Sequence, residues 1–220
     1  MTRNKFDMQL ENLNKQLIHM GELCEVAIGN AAKALKDGDL QLAKAIMGED
    51  EEIDQMEKDV ERLCLKLLLQ QQPVARDLRQ ISAALKMITD MERIGDQTSD
   101  IADIIIASGM KGFKDIAAIG EMAEATSKMV RDSVTAYVNK DLELAQQVIE
   151  ADDQVDHLFD AIKNKLVDLI AIEKGNDGQM AIDLIMISKY LERIGDHATN
   201  IAEWVEFSIT GVHQGSENIF

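Results

Sequence analysis

The sequence predicts an all-α protein made of two tandem, similar three-helix bundles that pack together. Three observations support this prediction: apolar residues recur at helical spacing over long segments, proline occurs once in 220 residues, and the second half of the chain repeats the first. Aromatic residues are 4% of the chain while hydrophobic residues are 46%, so the core must be largely aliphatic. Such a core suits helices, because strands favour aromatic and β-branched residues.

The first predicted helix starts near Phe6 and continues to the segment KDGD at residues 36–39. Its apolar or small residues alternate at spacings of three and four, which is typical of a helix that buries one continuous seam. The seam consists of Leu10, Leu13, Leu17, Met20, Cys24, Ala27, Ala31 and Ala34.

Two further helices follow in the first half. The second carries its apolar pattern from Leu42 to Leu67 and stops at QQQP. Pro73 fits the start of the third helix, since proline is favoured in a first helical turn. The apolar positions of the third helix are Leu78, Ile81, Leu85 and Ile88. Glu92 is next in phase, so we expect it to be at least partly buried.

The second half of the chain repeats this pattern. The segments KDGDLQLAKAI and NKDLELAQQVI align when Asp39 is laid on Asp141, at an offset of 102 residues. The motif ERIGD at 92–96 recurs at 192–196 at an offset of 100, so the second copy is two residues shorter near EKGNDG. We therefore predict repeats at residues 1–110 and 111–220. No flexible linker separates them, which favours direct packing of one repeat on the other.

The charge balance restricts the partners. The chain has 40 acidic and 23 basic residues and a formal net charge of −17. Such a surface repels nucleic acid and anionic lipid, and it is a poor direct receptor for free phosphate. No segment resembles a signal peptide or a membrane span, so we expect a cytoplasmic protein with no direct membrane insertion. Cys24 and Cys64 are expected to be buried, reduced thiols.

Acidic residues occur in pairs one helical turn apart, on one face of each helix. If the second and third helices form an antiparallel hairpin, residues equidistant from its turn lie at the same height. The pairs Asp54 with Glu92 and Asp50 with Asp96 are both centred on position 73. In the second repeat, the pairs Asp156 with Glu192 and Asp152 with Asp196 are both centred on position 174. Four carboxylates are thus predicted to meet in each repeat.

Carboxylates brought to one height repel each other, and buried ones are costly unless a cation neutralises them. Oxygen ligands of this kind suit Mg, Ca, Mn, Fe or Zn ions. Gly95 and Gly195 leave room where two helices and an ion approach closely. Asp100 extends the first set by one turn, whereas the second copy has Asn200 there. The second copy also has His197 in place of Gln97, so the two sites should differ in charge.

Other interpretations remain open at this point. Acids at helical spacing usually lie on a solvated face, and Arg93 and Arg193 could neutralise them as ordinary ion pairs. The glycines could serve helix crossing alone, and His197 is more typical of a surface residue than of a ligand. A carboxylate-bridged dinuclear hydrolase and a metal-free helical interaction module are the alternative functions. A dinuclear oxidase is less favoured, because the chain lacks the Glu-x-x-His tetrad.

The duplicated ERIGD with its following IA, the segments GEDEEID and ADDQVD, and the turn QQQPVARDLRQI resemble the PhoU family of phosphate-uptake regulators. The resemblance extends from about Phe6 to Phe207. It implies two three-helix bundles, multinuclear metal clusters held by the paired acid motifs, and no catalytic activity. The metal positions that it implies are Asp50, Asp54, Glu92, Asp96 and Asp100 in the first repeat and Asp152, Asp156, Glu192, Asp196 and Asn200 in the second.

The resemblance also implies a biological role. It suggests a cytoplasmic negative regulator of the phosphate-starvation response that acts as an adaptor. Its expected partners are the ATPase subunit of the phosphate ABC transporter and a sensor histidine kinase, with a homodimer as a further expectation.

Overall fold

The computed structural model describes residues 2–71, 73–109, 117–172 and 178–212. Across these ranges the chain forms six α-helices and no strand, as predicted. The helices are α1 (Thr2–Asp37), α2 (Leu40–Gln71), α3 (Ala75–Ser108), α4 (Ala117–Asn139), α5 (Leu142–Ile172) and α6 (Gly178–Thr210). The predicted boundary between residues 110 and 111, and the shortened turn around position 174, lie outside the described residues.

The helices form two three-helix bundles that pack on each other. Helices α1, α2 and α3 pack together, and α4, α5 and α6 do the same. Between the bundles, α3 packs against α6 and α1 packs against α4. The helix pairs α3–α6 and α1–α4 therefore join the repeats. Over the described residues, the outer helices, α2 and α5, contact only their own bundles.

The core is aliphatic and follows the predicted seam. On α1 every seam residue from Leu13 to Ala34 is buried, and Leu10 is partly buried. Cys24 and Cys64 are buried free thiols, which confirms that prediction. No helix in the described ranges has an apolar stretch long enough to span a bilayer.

The repeated aspartates begin the outer helices. Asp39 Oδ1 accepts hydrogen bonds of 3.0 Å from the backbone N–H groups of Gln41 and Leu42 at the start of α2. Asp141 Oδ1 accepts one of 3.0 Å from Leu144 at the start of α5. These are N-cap bonds, which satisfy N–H groups that lack partners within the helix. The sequence similarity around the two aspartates therefore reflects an aspartate N-cap that occurs at the start of both α2 and α5.

Two expectations for α3 are corrected by the structure. The helix begins at Ala75 with Val74 as its N-cap, so Pro73 precedes the helix instead of occupying its first turn. The apolar pattern predicts Leu78 on the buried face, but Leu78 is 46% exposed. The buried stripe at this end passes through Asp77, Gln80, Ile81 and Ala84, so Leu78 lies beside it.

Candidate metal sites

The hairpins α2–α3 and α5–α6 place the predicted acids side by side. A Cβ atom on Gly95 would lie 2.8 Å from Asp50 Oδ1, and one on Gly195 would lie 3.3 Å from Asp152 Oδ1. The predicted register pairs Asp50 with Asp96, the residue that follows Gly95. It pairs Asp152 with Asp196, the residue that follows Gly195, in the same way. This close approach confirms the predicted register, and it explains why residue 95 lacks a side chain.

Burial and mutual repulsion govern the first set of acids. Burial, followed by the charges of Asp96 and Asp54, raises the pKa of Asp50 to about 6. Burial and then Asp96 raise the pKa of Glu92, and the same two causes raise the pKa of Asp100. Raised carboxyl pKa values mean that the folded protein disfavours these negative charges as they stand. A cation at this place would relieve that penalty.

The Asp50 carboxylate is incompletely satisfied. Its Oδ1 atom is buried and accepts no hydrogen bond from any residue that the structure describes. A buried polar atom without a partner costs about 1–3 kcal/mol, and more when it is charged. Because Gly95 has no side chain, this oxygen lies directly against the backbone of α3. A buried carboxylate oxygen without a partner fits a bound cation, which would supply the missing interaction.

Basic side chains neutralise some of these acids in the structure. Arg93 lies 2.9 Å from Asp96 Oδ2 and 3.5 Å from Glu92 Oε2, and Lys58 lies 3.7 Å from Asp54 Oδ2. Ordinary ion pairs therefore neutralise part of the first set, as the alternative interpretation of the acids expected. Among the described residues, no three acids, histidines or cysteines converge as ligands on one point. Because exposed pairs contribute only about 0–1 kcal/mol, they would yield readily to a divalent ion.

The second set repeats this arrangement. Burial, followed by Asp196 and Asp156, raises the pKa of Asp152 to about 6. Glu192 is 14% exposed and its counterpart Glu92 is 21% exposed, so both are partly buried, as the apolar phase of Glu92 predicted. Glu192 forms an ion pair with Lys189, one turn earlier on α6.

The last position of each set faces the other repeat. Asn200 Nδ2 donates to Asp90 Oδ1 at 3.2 Å, and His197 Nδ1 lies 2.9 Å from the same oxygen. His197 is half-buried, which corrects its expected surface role, because α3 covers it. At the equivalent position of the first set, Asp100 of α3 lies near Tyr190 of α6, where burial and then the charge of Asp100 raise the pKa of the Tyr190 hydroxyl.

Sequence reasoning missed Asp90 and Tyr190. The offset of 100 residues lays these two positions on each other, two residues before the ERIGD copies. That symmetry was the available signal. It could not reveal the contacts themselves, because α3 and α6 meet only when the two repeats pack.

A protein-family model and curated relatives match nearly the whole chain. The family model described as "PhoU domain" matches residues 17–105 and again 119–205. The chain is 38% identical to the "Phosphate-specific transport system accessory protein PhoU homolog" of Clostridium acetobutylicum, over 96% of this chain and 97% of that protein. It is 34% identical to the homolog of the same name from Pseudomonas aeruginosa, over 94% of this chain and 86% of that protein.

Solved structures agree with the fold. The crystal structure of PhoU from Pseudomonas aeruginosa matches with a TM-score of 0.87 and 32% identity, covering 94% of this chain and all of that one. The phosphate transport system regulatory protein PhoU from Streptococcus pneumoniae matches with a TM-score of 0.84 at 24% identity, and it covers 94% of this chain and 98% of that one. The second likeness speaks to the fold alone. With the family model matched in both repeats and relatives at this identity over nearly the whole length, the chain belongs to the PhoU family.

Proposed function

We propose that this protein is a metal-binding accessory regulator of phosphate-specific transport. The single observation that carries the metal-binding part is the buried Asp50 Oδ1, which has no hydrogen-bond partner among the described residues and lies against Gly95. The transport part is supported by the names of the relatives in Clostridium acetobutylicum and Pseudomonas aeruginosa.

The ligands in this proposal are carboxylate and amide oxygens. Bound Mg, Ca, Mn, Fe or Zn ions would supply the positive charge that offsets the repulsion between the acids of α2 and α3, or of α5 and α6. Several oxygens per set allow more than one ion in each cluster. The first set is Asp50, Asp54, Glu92, Asp96 and Asp100, and the second is Asp152, Asp156, Glu192, Asp196 and Asn200.

The regulatory role is that of an adaptor without catalytic activity. The protein connects the ATPase subunit of the phosphate ABC transporter with a sensor histidine kinase in the cytoplasm, and it represses the phosphate-starvation response when phosphate is plentiful. A net charge of −17 disfavours direct capture of phosphate. The regulator therefore responds to phosphate through its partners or its bound cations.

Elemental analysis after gentle purification tests the metal sites. We expect the wild type to retain metal and Asp50→Asn/Asp96→Asn to lose the share held by the first set. Glu52→Gln is the matched control, because it removes a charge from an exposed position of α2. A wild type that neither retains metal nor takes it up would favour the metal-free interaction module. Phosphoester turnover by the metal-loaded protein, lost in Glu92→Gln, would favour the hydrolase.

A pull-down from cell extract tests the adaptor role. The bait is the wild type or Asp96→Asn/Asp196→Asn, each with and without phosphate. We expect the wild type to capture the transporter ATPase and the kinase in a phosphate-dependent manner, and the variant to lose that dependence. Capture of neither partner under any condition would contradict the proposal.

A further inference from the structure

The two acid sets share four of their five ligand positions but differ in the charges around them. Several nearby positions change charge when the repeats are aligned at offsets of 102 residues in the outer helices and 100 in α3 and α6. They include Glu57, Lys58, Glu61 and Thr89 in the first repeat and Phe159, Asp160, Lys163 and Lys189 in the second. The formal charges of these four positions add up to −1 in the first repeat and +1 in the second.

In the second repeat, one cluster beside Glu192 is formed by the side chains of Phe159, Lys163 and Lys189. Lys189 Nζ contacts Glu192 Oε2 and lies 5.4 Å from the centroid of the Phe159 ring. Lys163 Nζ lies 5.2 Å from the same centroid and contacts Asp160. The ring of Phe159 therefore holds two ammonium groups by cation–π interactions. One of them already neutralises a predicted metal ligand.

In the first repeat the same region of α2 carries two acids, Glu57 and Glu61, and one base, Lys58. Lys58 lies 3.7 Å from Asp54 Oδ2 and Arg93 lies 3.5 Å from Glu92 Oε2, but both basic side chains are more than half exposed, so solvent screens them. Thr89, the counterpart of Lys189, brings no charge.

The features that the repeats share do not account for this difference. Both have an arginine after the first acid of ERIGD, Arg93 or Arg193, and both have the glycine beside the acid of the outer helix. Asn200 in place of Asp100 removes one negative charge from the second set, in the same direction as the lysines. The asymmetry therefore lies in residues around the ligands as well as in the last ligand position.

We infer that the two sets are unequal cation sites, and that Lys189, supported by Phe159 and Lys163, keeps the second set weak. The inference rests on the proposed metal-binding function and deepens it. The ammonium group of Lys189 forms an ion pair with Glu192 Oε2, so an incoming divalent ion must displace it and also meets its repulsion. A unit charge a few ångströms from a divalent ion changes affinity by on the order of ten-fold when solvent screens it.

Mn²⁺ titration of the metal-stripped full chain tests this inference, with the free ion measured by electron paramagnetic resonance. Asp152→Asn/Asp196→Asn leaves the first set intact, and Asp50→Asn/Asp96→Asn leaves the second. We expect the first set to bind Mn²⁺ about ten-fold more tightly than the second. Adding Lys189→Thr should strengthen the second set about ten-fold, and adding Thr89→Lys should weaken the first set similarly.

Lys165→Thr is the matched control, because it removes the same charge from an exposed position of α5. It should leave Mn²⁺ affinity nearly unchanged. Lys189→Thr in an otherwise wild-type chain provides a second measurement that needs no disrupted set, and it should increase the Mn²⁺ bound per chain at limiting concentration.

Equal affinities of the two sets, or a second set that does not respond to Lys189→Thr, would overturn the inference while leaving the metal-binding function intact. Absence of Mn²⁺ binding in both sets would overturn the inference together with the metal sites.

Discussion

At the scale of single residues, Gly95 shows how a local penalty can mark a site. Glycine within a helix costs about 0.5–1 kcal/mol relative to alanine. Here a Cβ would lie 2.8 Å from Asp50 Oδ1, closer than real contacts allow, and 3.2 Å from Ile53 Cδ1, which is tighter than most contacts. The glycine lets the Asp50 carboxylate lie against the backbone of α3. Gly195 does the same for Asp152 with slightly more space.

We predict that Gly95→Ala loses the usual benefit of alanine in a helix. Gly48→Ala, an exposed control on α2 with nothing within 4 Å of the added atom, should raise the free energy of unfolding by about 0.5–1 kcal/mol. The free energy of unfolding of Gly95→Ala should be about 1–3 kcal/mol lower than that of this control, because the Asp50 and Ile53 side chains must shift. Urea unfolding monitored by circular dichroism measures both. Equal stabilisation by the two variants would show that residue 95 has space to spare.

The raised pKa values of Asp50 and Asp152 predict a pH dependence. Each is about 6 in the folded protein against an ordinary value of 3.8. The folded state binds these protons more tightly than the unfolded chain does, so their contribution lowers the free energy of unfolding as pH rises from about 4 to 6. Without metal, Asp50→Asn/Asp152→Asn should be more stable than the wild type above pH 6, by a margin that vanishes below about pH 4.

Urea unfolding at several pH values measures that margin. Adding Mn²⁺ at neutral pH should reverse the order of stability, because only the wild type keeps both aspartates as ligands. A margin that is constant across the pH range would show that the aspartates titrate normally.

At the scale of helices, the seam of α1 carries the packing of the first bundle and its contact with α4. Leu17 is fully buried in this seam, while its neighbour Ile18 is 40% exposed. Adjacent residues of one helix thus point into different environments. The helical period alone determined which of them is buried.

We predict a large difference between truncations at these two neighbours. Leu17→Ala should lower the free energy of unfolding by about 2–5 kcal/mol, because it leaves a cavity in a packed core. Ile18→Ala should cost about 1 kcal/mol or less, as expected for an exposed position. Thermal and urea unfolding measure both. Similar losses in the two variants would place the seam elsewhere on α1.

At the scale of the whole molecule, side-chain bonds join the two repeats. Tyr137 of α4 is buried and donates a hydrogen bond of 2.8 Å to the Gln80 carbonyl of α3. Arg131 of α4 pairs with Glu25 of α1 at 2.6 Å. His197 and Asn200 share Asp90 across α3 and α6. An apolar interface reinforced by such bonds favours unfolding of both repeats together.

We predict one cooperative unfolding transition for the metal-free chain. The calorimetric and van't Hoff enthalpies should agree, as they do when no intermediate is populated. Asp90→Ala removes the shared acceptor and should lower stability by about 1–3 kcal/mol without splitting the transition. Asp37→Ala, at an exposed position at the end of α1, is the control. Two separate transitions in the wild type would show that the repeats unfold independently.

Helical periodicity and the internal repeat were sufficient to predict six helices, two bundles and the height of the paired acids. These features depend only on the helical period and on the number of residues that separate each acid from the turn of its hairpin. The close approach of Asp50 to Gly95 follows from the same geometry, because a hairpin joins neighbouring segments.

Other features depended on how distant segments pack. The contacts of Asp90 with His197 and Asn200, and the exposed position of Leu78, follow from the relative rotation and separation of helices. Residues 90 and 197 lie far apart in sequence, and no local pattern specifies their meeting. The cluster of Lys189, Phe159 and Lys163 likewise requires α5 and α6 to pack with one particular rotation. Only the tertiary structure decided these contacts, because helix packing is set by the sum of many side-chain contacts and not by any single period in the sequence.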